Sequence, residues 1–138
     1  MTLRLPQQHI DDMIAHAREA VPDECCGIIA GKDGVATKLY RMVNSAEKEY
    51  RPYRYEMDGK ALLQLIRELD GRGEEFLVIY HSHVATEGRP SPTDIRFAAN
   101  WPDPYYVLVS LIEEPPPLRA FRIVEGEVAE DAIEIADL

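Results

Sequence analysis

The stretch IYHSHVATEGRPSPTDI, residues 79–95, joins two closely spaced histidines to a loop and an aspartate. Residues two apart on a strand point to the same face, so an apolar run that ends in His81, Ser82 and His83 directs both imidazoles to one side. A catalytic zinc ion takes three protein ligands, and Asp94 can be the third if the loop folds back. Two histidines at the rim of a sheet also occur without a metal, so this spacing alone leaves both interpretations open.

The segment SPTD, residues 91–94, has a second interpretation as the start of a helix. Ser91 suits the N-cap, Pro92 suits the first helical position, and an acid three residues after the serine completes a variant capping box. The two interpretations are compatible, because the N-terminus of a helix is a rigid support for a metal ligand.

Composition narrows the class of protein. The chain has 138 residues, 46% of them hydrophobic, and a formal net charge of -10. No apolar run reaches the roughly 20 residues that cross a bilayer, and the N-terminus lacks a secretory signal, so we expect no membrane partner. An acidic chain repels phosphate backbones, which argues against nucleic acid as a partner. The two cysteines are adjacent and form no disulfide scaffold, which favours a cytoplasmic location.

The hydrophobic periodicity predicts the element order α-β-β-(β)-α-β-α-β-β-β. In the second helix, the apolar face is predicted to comprise Leu62, Leu63, Ile66 and Leu69. Helices among strands with short hairpin connections predict one α/β layered domain, with a mixed, largely antiparallel sheet flanked by helices. The predicted helices cover residues 6–22, 58–73 and 91–101, and the predicted strands cover residues 25–31, 35–44, 53–57, 76–83, 105–112, 118–124 and 128–135.

Taken together, the spacings resemble the signature of the JAMM (MPN-plus) zinc metalloprotease family. That signature is H-S-H, seven residues, a serine, two residues and an aspartate, and it is met here from His81 to Asp94. The family also carries a glutamate upstream, and Glu24 in DECCGIIAG lies where the resemblance requires it. The resemblance covers nearly the whole chain. It implies one metallopeptidase domain over residues 1–138, with the JAMM/MPN fold, a cytidine-deaminase-like layered architecture.

The resemblance also implies the roles of five residues. One zinc ion per chain would be held by His81, His83 and Asp94. Glu24 would serve as general base and acid toward a zinc-activated water, and Ser91 would donate a hydrogen bond to the oxygen of the tetrahedral intermediate.

The substrate implied by the resemblance is a ubiquitin-like sulfur-carrier protein. The form HSHVATEGRPS is most similar to the small bacterial branch, the Mec-type CysO–cysteine hydrolases, which release cysteine from the carrier C-terminus in cysteine biosynthesis. Many family members have proline after the second histidine, whereas this chain has Val84, so we expect the loop from Val84 to Pro90 to differ in shape.

That loop and the Tyr- and Arg-rich segment from Ser45 to Met57 are the candidates for substrate binding. The segment from Ser45 to Met57 can equally be a surface loop. Two other functions stay open: a deubiquitinase-like isopeptidase that acts on another ubiquitin-like tail, and a non-catalytic MPN binding module. The sequence does not decide whether the protein forms a homodimer.

Two cysteines and two histidines lie outside the signature. Cys25 and Cys26 lie next to Glu24, so one could be a thiolate nucleophile or ligand, but free cysteines on a core strand usually behave as small apolar residues. We therefore predict that both are buried, on opposite faces of the strand. His9 and His16 lie in the first helix and are predicted to face solvent.

Overall fold

The computed structural model describes residues 2–136 and forms one seven-stranded sheet with three helices. The elements in chain order are β1 (Thr2–Leu5), α1 (Gln7–Ala20), β2 (Cys26–Lys32), β3 (Val35–Met42), α2 (Gly59–Asp70), β4 (Glu75–His83), α3 (Pro92–Ala98), β5 (Tyr105–Ser110), β6 (Leu118–Val124) and β7 (Glu127–Ile135).

The strands run across the sheet in the order β1-β7-β6-β5-β4-β2-β3. The pairs β1 with β7 and β4 with β5 are parallel, and the other neighbouring pairs are antiparallel. The predicted single α/β domain with a mixed, largely antiparallel sheet is therefore confirmed.

Helices cover both faces of this sheet and create two cores. On one face, α1 inserts Met13 and Ala17 into a core that includes Tyr80 and Val107. On the other face, the core contains Leu69 of α2, Ala98 of α3 and several strand residues. A strand covered on both sides carries a continuous apolar run, which is the pattern seen from Val78 to Tyr80 in β4.

None of the helices in residues 2–136 has both the length and the apolar character that a bilayer span requires.

The ring of Tyr80, a residue of β4, lies directly against Gly27 in the neighbouring strand β2. Gly27 is paired with Tyr80 across the two antiparallel strands. A Cβ atom at Gly27 would lie 2.3 Å from the Tyr80 ring, far inside van der Waals contact. A side chain at this position would have to displace the buried Tyr80 ring, so glycine is favoured in the strand that follows Glu24.

β1 was absent from the sequence prediction. Leu3 and Leu5 are buried while Thr2 and Arg4 are exposed, so the strand does alternate, but only over four residues. Such a short alternation carries little periodic signal. The strand is stabilised by parallel pairing with β7, in which Thr2 lies opposite Ala132. The two paired strands are about 130 residues apart in the sequence.

The predicted strand over residues 53–57 is wrong. Tyr55 and Met57 are buried and Glu56 is exposed, so the alternation exists. The segment nevertheless has no strand pairing; its backbone bonds to the preceding loop run from the Ser45 amide to the Glu56 carbonyl, at 2.8 Å, and from the Tyr53 and Arg54 amides to the Tyr50 carbonyl. Side-chain alternation without a neighbouring strand gives an irregular loop.

The predicted apolar face of α2 also needs one correction. Leu63 is exposed, and Leu65 is buried beside Leu62 and Leu69. The helix is rotated by about one residue relative to the predicted face, because its packing against the sheet decides which leucines are covered.

Candidate active site

The end of β4 and the start of α3 bring three potential metal ligands together. His81 and His83 point to the same face of β4, as their spacing predicts, and both reach the Oδ2 atom of Asp94. The distances to that oxygen are 3.0 Å from His81 Nε2 and 3.2 Å from His83 Nε2, and the two nitrogens lie 3.2 Å apart. All three side chains are buried. Within residues 2–136, no other group of three metal-binding side chains lies this close together.

The N-terminus of α3 fixes Asp94. The Ser91 hydroxyl accepts a hydrogen bond from the Asp94 amide at 3.1 Å, and Asp94 Oδ2 accepts one from the Ser91 amide at 2.9 Å. This is a capping box with Pro92 following the cap, as predicted. The oxygen that completes the cap is the same one that faces the imidazoles, so helix formation and site formation use a single carboxylate.

His83 is oriented by the loop that follows it. Its Nδ1 lies 2.8 Å from the Glu87 carbonyl, so the loop does fold back over the strand end. A carbonyl only accepts, so Nδ1 carries the proton. The neutral ring then has a lone pair on Nε2, and that lone pair is directed at His81 and Asp94.

Electrostatics favour a negative Asp94 beside these rings. Burial alone would raise the pKa of the Asp94 carboxyl, but His81, His83 and the Ser91 amide outweigh it and hold the pKa well below its usual range. Burial would lower the pKa of His83, yet its bonds to Asp94 and to the Glu87 carbonyl raise it above the ordinary value. The site therefore contains a fixed carboxylate charge that needs a cation, whether a proton on His83 or a metal ion.

The donor set fits zinc. Zinc binds imidazole nitrogen and carboxylate oxygen, and ligand atoms about 2.0–2.1 Å from a tetrahedral ion lie about 3.3–3.4 Å from one another. The observed separations of 3.0–3.2 Å are close to that value. Residues His81, His83 and Asp94 could hold one ion and leave a fourth position open, the arrangement that catalytic zinc sites share.

Glu24 lies beside this cluster, just before β2. Its side chain is 4% exposed, and Oε1 has no hydrogen-bond partner in the part of the chain that the structure describes. Burial raises the pKa of Glu24 to about 8, His83 opposes the rise and Asp94 adds to it, so the carboxyl is near both. A buried carboxyl oxygen without a partner is costly to maintain and is typical of a functional group.

Comparison with known proteins identifies the family. The sequence profile for prokaryotic homologs of the JAB domain matches residues 6–124. This chain belongs to the prokaryotic JAB family. The resemblance to the JAMM, or JAB/MPN, family is thereby confirmed.

Relatives of this JAB protein are named as proteases. The CysO-cysteine peptidase of Mycobacterium tuberculosis is 39% identical over 129 residues, which cover 93% of this chain and 87% of the relative. A probable TtuB-protein conjugate cleaving protease of Thermus thermophilus is 30% identical over 128 residues, which cover 92% and 80%. The solution structure of a Desulfitobacterium hafniense protein matches with a TM-score of 0.84 and 31% identity, covering 100% of this chain and 94% of that chain.

Two further residues of the JAB domain, Ser82 and Asn44, support the site through contacts that the sequence did not predict. Ser82 points away from the imidazoles, and its hydroxyl accepts a hydrogen bond from the Cys25 amide at 2.8 Å. Asn44 donates its side-chain amide to the Glu24 carbonyl at 3.0 Å. Both contacts join segments distant in sequence, so no local pattern indicates them.

The cysteines of the JAB domain are buried on opposite faces of the sheet at the start of β2, as predicted: Cys25 lies in the α1 core and Cys26 in the core beneath α2. Burial raises the pKa of the Cys25 thiol to about 11, so no thiolate forms near neutral pH.

The prediction that His9 and His16 face solvent is wrong. His9 is buried, and His16 is half-buried with Nδ1 2.7 Å from the Tyr80 hydroxyl. Both belong to α1, whose apolar face packs on the sheet opposite the candidate site. The long-range contact with Tyr80 explains why periodicity within the helix alone misplaces His16.

Proposed function

We propose that this JAB protein is a zinc-dependent peptidase that cleaves the amide bond at the C-terminus of a ubiquitin-like sulfur-carrier protein and releases cysteine. The observation that carries the proposal is the convergence of two imidazole nitrogens and one carboxylate oxygen beside a buried glutamate whose Oε1 has no hydrogen-bond partner among the described residues. A non-catalytic binding module has no use for such an arrangement, because each buried polar group in it costs stability.

Glu24 is suited to carry a proton between water and the leaving amine. When bound, a zinc ion lowers the pKa of a water molecule to about 7 and polarises a carbonyl oxygen. The Glu24 carboxyl has an oxygen without a hydrogen-bond partner among the described residues, and its pKa of about 8 lies close to neutrality, so both the carboxylate that accepts a proton and the acid that returns it are accessible. A group with these properties can take a proton from the attacking water and pass it to the departing nitrogen.

Ser91 is suited to stabilise negative charge on the substrate oxygen. Its hydroxyl oxygen already accepts the Asp94 amide, which leaves the hydroxyl proton available for donation. The side chain is only partly buried, so a substrate can reach it. A donor that is fixed before the reaction stabilises the charge that develops in the transition state.

Two segments next to the site are proposed to contact the carrier tail. The loop from Val84 to Pro90 holds His83 through the Glu87 carbonyl. The segment from Ser45 to Met57 exposes Tyr50 and Tyr53 while its buried Tyr55 contacts His81. Exposed aromatic side chains on a segment that reaches the site suit an extended peptide, which commonly binds through its backbone and alternate side chains.

Support for the carrier substrate comes from the relatives. The Mycobacterium tuberculosis protein is named for a CysO–cysteine bond and the Thermus thermophilus protein for a TtuB–protein conjugate. The first name favours release of cysteine, and the second keeps an isopeptidase as the alternative function. The two differ in the leaving group, which is a single amino acid in one case and a protein in the other.

The test presents both leaving groups to the purified protein. Sulfur-carrier proteins bearing a C-terminal cysteine, or joined to a lysine side chain of a second protein, are incubated with it and followed by intact mass. Parallel reactions contain a chelator, with and without restored zinc. We expect loss of cysteine that stops with the chelator and returns with zinc.

Three results would contradict parts of this proposal. Cleavage that survives complete metal removal would refute the zinc mechanism. Cleavage of the lysine adduct alone would replace the cysteine hydrolase with the isopeptidase. A metal-loaded protein that binds carriers but cleaves neither adduct would support the binding module.

A further inference from the structure

His81 lacks the hydrogen bond that usually orients a metal-binding imidazole. Ligand histidines almost always donate the second ring nitrogen to a carboxylate, carbonyl or water, and His83 does so to Glu87. The Nδ1 atom of His81, in contrast, is buried and has no hydrogen-bond partner among residues 2–136. The orientation of this ring must therefore come from packing.

The ring of Tyr55 supplies that packing. It is stacked on His81 with 4.4 Å between the ring centroids and 29° between the planes. Tyr55 is 4% exposed, and it also contacts the Phe97 ring at 5.1 Å. Phe97 lies three residues after Asp94 on α3, so the helix that supplies one candidate ligand also restrains the side chain against another.

We propose that Tyr55 is a positioning residue for the metal site, holding the His81 imidazole in the plane that directs Nε2 at Asp94 and His83. This inference rests on the proposed zinc function. The Tyr55 hydroxyl has no hydrogen-bond partner in the described part of the chain, so the aromatic ring carries the effect. Stacked aromatic pairs are favourable beyond the area they bury, which makes the contact an orienting one.

The same segment also positions Glu24. The Arg51 carbonyl accepts a hydrogen bond from the Glu24 amide at 2.8 Å, and Asn44 holds the Glu24 carbonyl. Asn44 Oδ1 in turn accepts from the amides of Ala46 and Glu56, which keeps the segment folded. One irregular segment thus restrains both the candidate general base and, through Tyr55, a candidate ligand.

The test compares zinc affinity in three variants and the unaltered protein. Metal-free samples compete with a chromophoric chelator for zinc, and the Co²⁺-loaded forms are compared by visible absorption. We expect Tyr55→Leu to lower zinc affinity about 10- to 100-fold and to change the Co²⁺ spectrum, as loss of an outer contact to a ligand typically does. Tyr55→Phe keeps the ring and is expected to stay within about twofold of the unaltered affinity.

Phe76→Leu is the matched control. Phe76 is an aromatic residue of β4 that packs in the same core against Trp101, with 5.5 Å between their centroids, and it is not part of the site. Urea unfolding of every variant separates stability from metal binding. We expect Phe76→Leu to lose stability but retain the zinc affinity and Co²⁺ spectrum of the unaltered protein.

Proton NMR of the metal-free unaltered protein gives a measurement that needs no variant to fold. The Tyr55 ring current is expected to shift the His81 ring protons upfield of those of His83. The absence of that shift, unchanged zinc affinity in Tyr55→Leu, or an equal loss of affinity in Phe76→Leu would overturn the positioning role. Failure of the unaltered protein to bind zinc would instead overturn the proposed function from which it follows.

Discussion

At the scale of single residues, the site depends on one carboxylate oxygen that makes several contacts. Asp94 Oδ2 closes the cap of α3 and faces both imidazoles. The sequence predicts the placement of His81, His83 and Asp94 because strand alternation and capping are local rules. It does not predict the contacts of Tyr55 and Ser82, since these depend on packing between distant segments. The catalytic roles of Glu24 and Ser91 stay predictions.

The two roles of Ser91 can be separated by substitution. Ser91→Ala is expected to lower kcat by about 100- to 1,000-fold through loss of an oxyanion donor. It also removes the cap and should lower the free energy of unfolding by about 1 kcal/mol. Ser91→Gly lacks the hydroxyl too but costs only a few tenths of a kcal/mol at an N-cap, so it should lose turnover while keeping stability. Full turnover of a carrier–cysteine adduct by either variant would exclude the donor role.

At the scale of elements, the pairing of β2 with β4 places Glu24 beside the histidines. The register aligns Cys26 with His81, and the Ser82 hydroxyl bonds the Cys25 amide just beyond it. Apolar runs predict both strands, yet the irregular segment at residues 53–57 was predicted as a strand because its alternation is real. Whether such a segment finds a strand partner is decided by the fold and not by its own sequence.

Substitution of Gly27 tests how much the close packing of Tyr80 against β2 contributes to stability. Gly27→Ala would place Cβ 2.3 Å from the Tyr80 ring, so the strands must separate or the ring must move. We expect a loss of about 1–3 kcal/mol in the free energy of unfolding, measured in urea, as for other overpacked sites. Gly59→Ala is the control, because nothing lies within 4 Å of the added atom, and it should be neutral or stabilising. Equal stability of both variants would show that the Tyr80 ring moves aside at no cost in stability.

At the scale of the whole molecule, the layered order of elements follows from the sequence because long apolar runs and amphipathic helices have distinct periods. β1 was missed because four residues give too little pattern, although its parallel pairing with β7 forms one edge of the sheet. The docking of α1 was also incompletely predicted. His16 bonds the Tyr80 hydroxyl across 64 positions, a contact that no local pattern reveals.

The burial of His16 in this docking predicts how stability depends on pH. Burial, together with the charge of Arg41 and against that of Glu19, lowers the pKa of His16 from 6.5 to about 4. In the unfolded chain His16 becomes protonated below about pH 6.5, whereas in the folded protein it becomes protonated only near pH 4. The contribution of His16 to stability is therefore complete above pH 6.5 and is lost as the pH falls from 6.5 to about 4.

His16→Gln removes this titration while keeping a polar side chain. We expect the urea midpoint of the unaltered protein to fall more between about pH 7.5 and pH 5 than that of His16→Gln. His9 and the acidic groups titrate in both proteins, so the comparison isolates His16. Identical pH dependence would show that His16 ionises freely in the folded state.

The most direct test of the central claim is to measure zinc content and carrier–cysteine hydrolysis together in Glu24→Gln. Glutamine keeps the size and burial of the side chain but cannot accept and return a proton. We predict zinc content equal to that of the unaltered protein and hydrolysis reduced to the level of the enzyme-free control. Normal hydrolysis at normal zinc content would contradict the assignment of Glu24 as the proton carrier in a zinc peptidase.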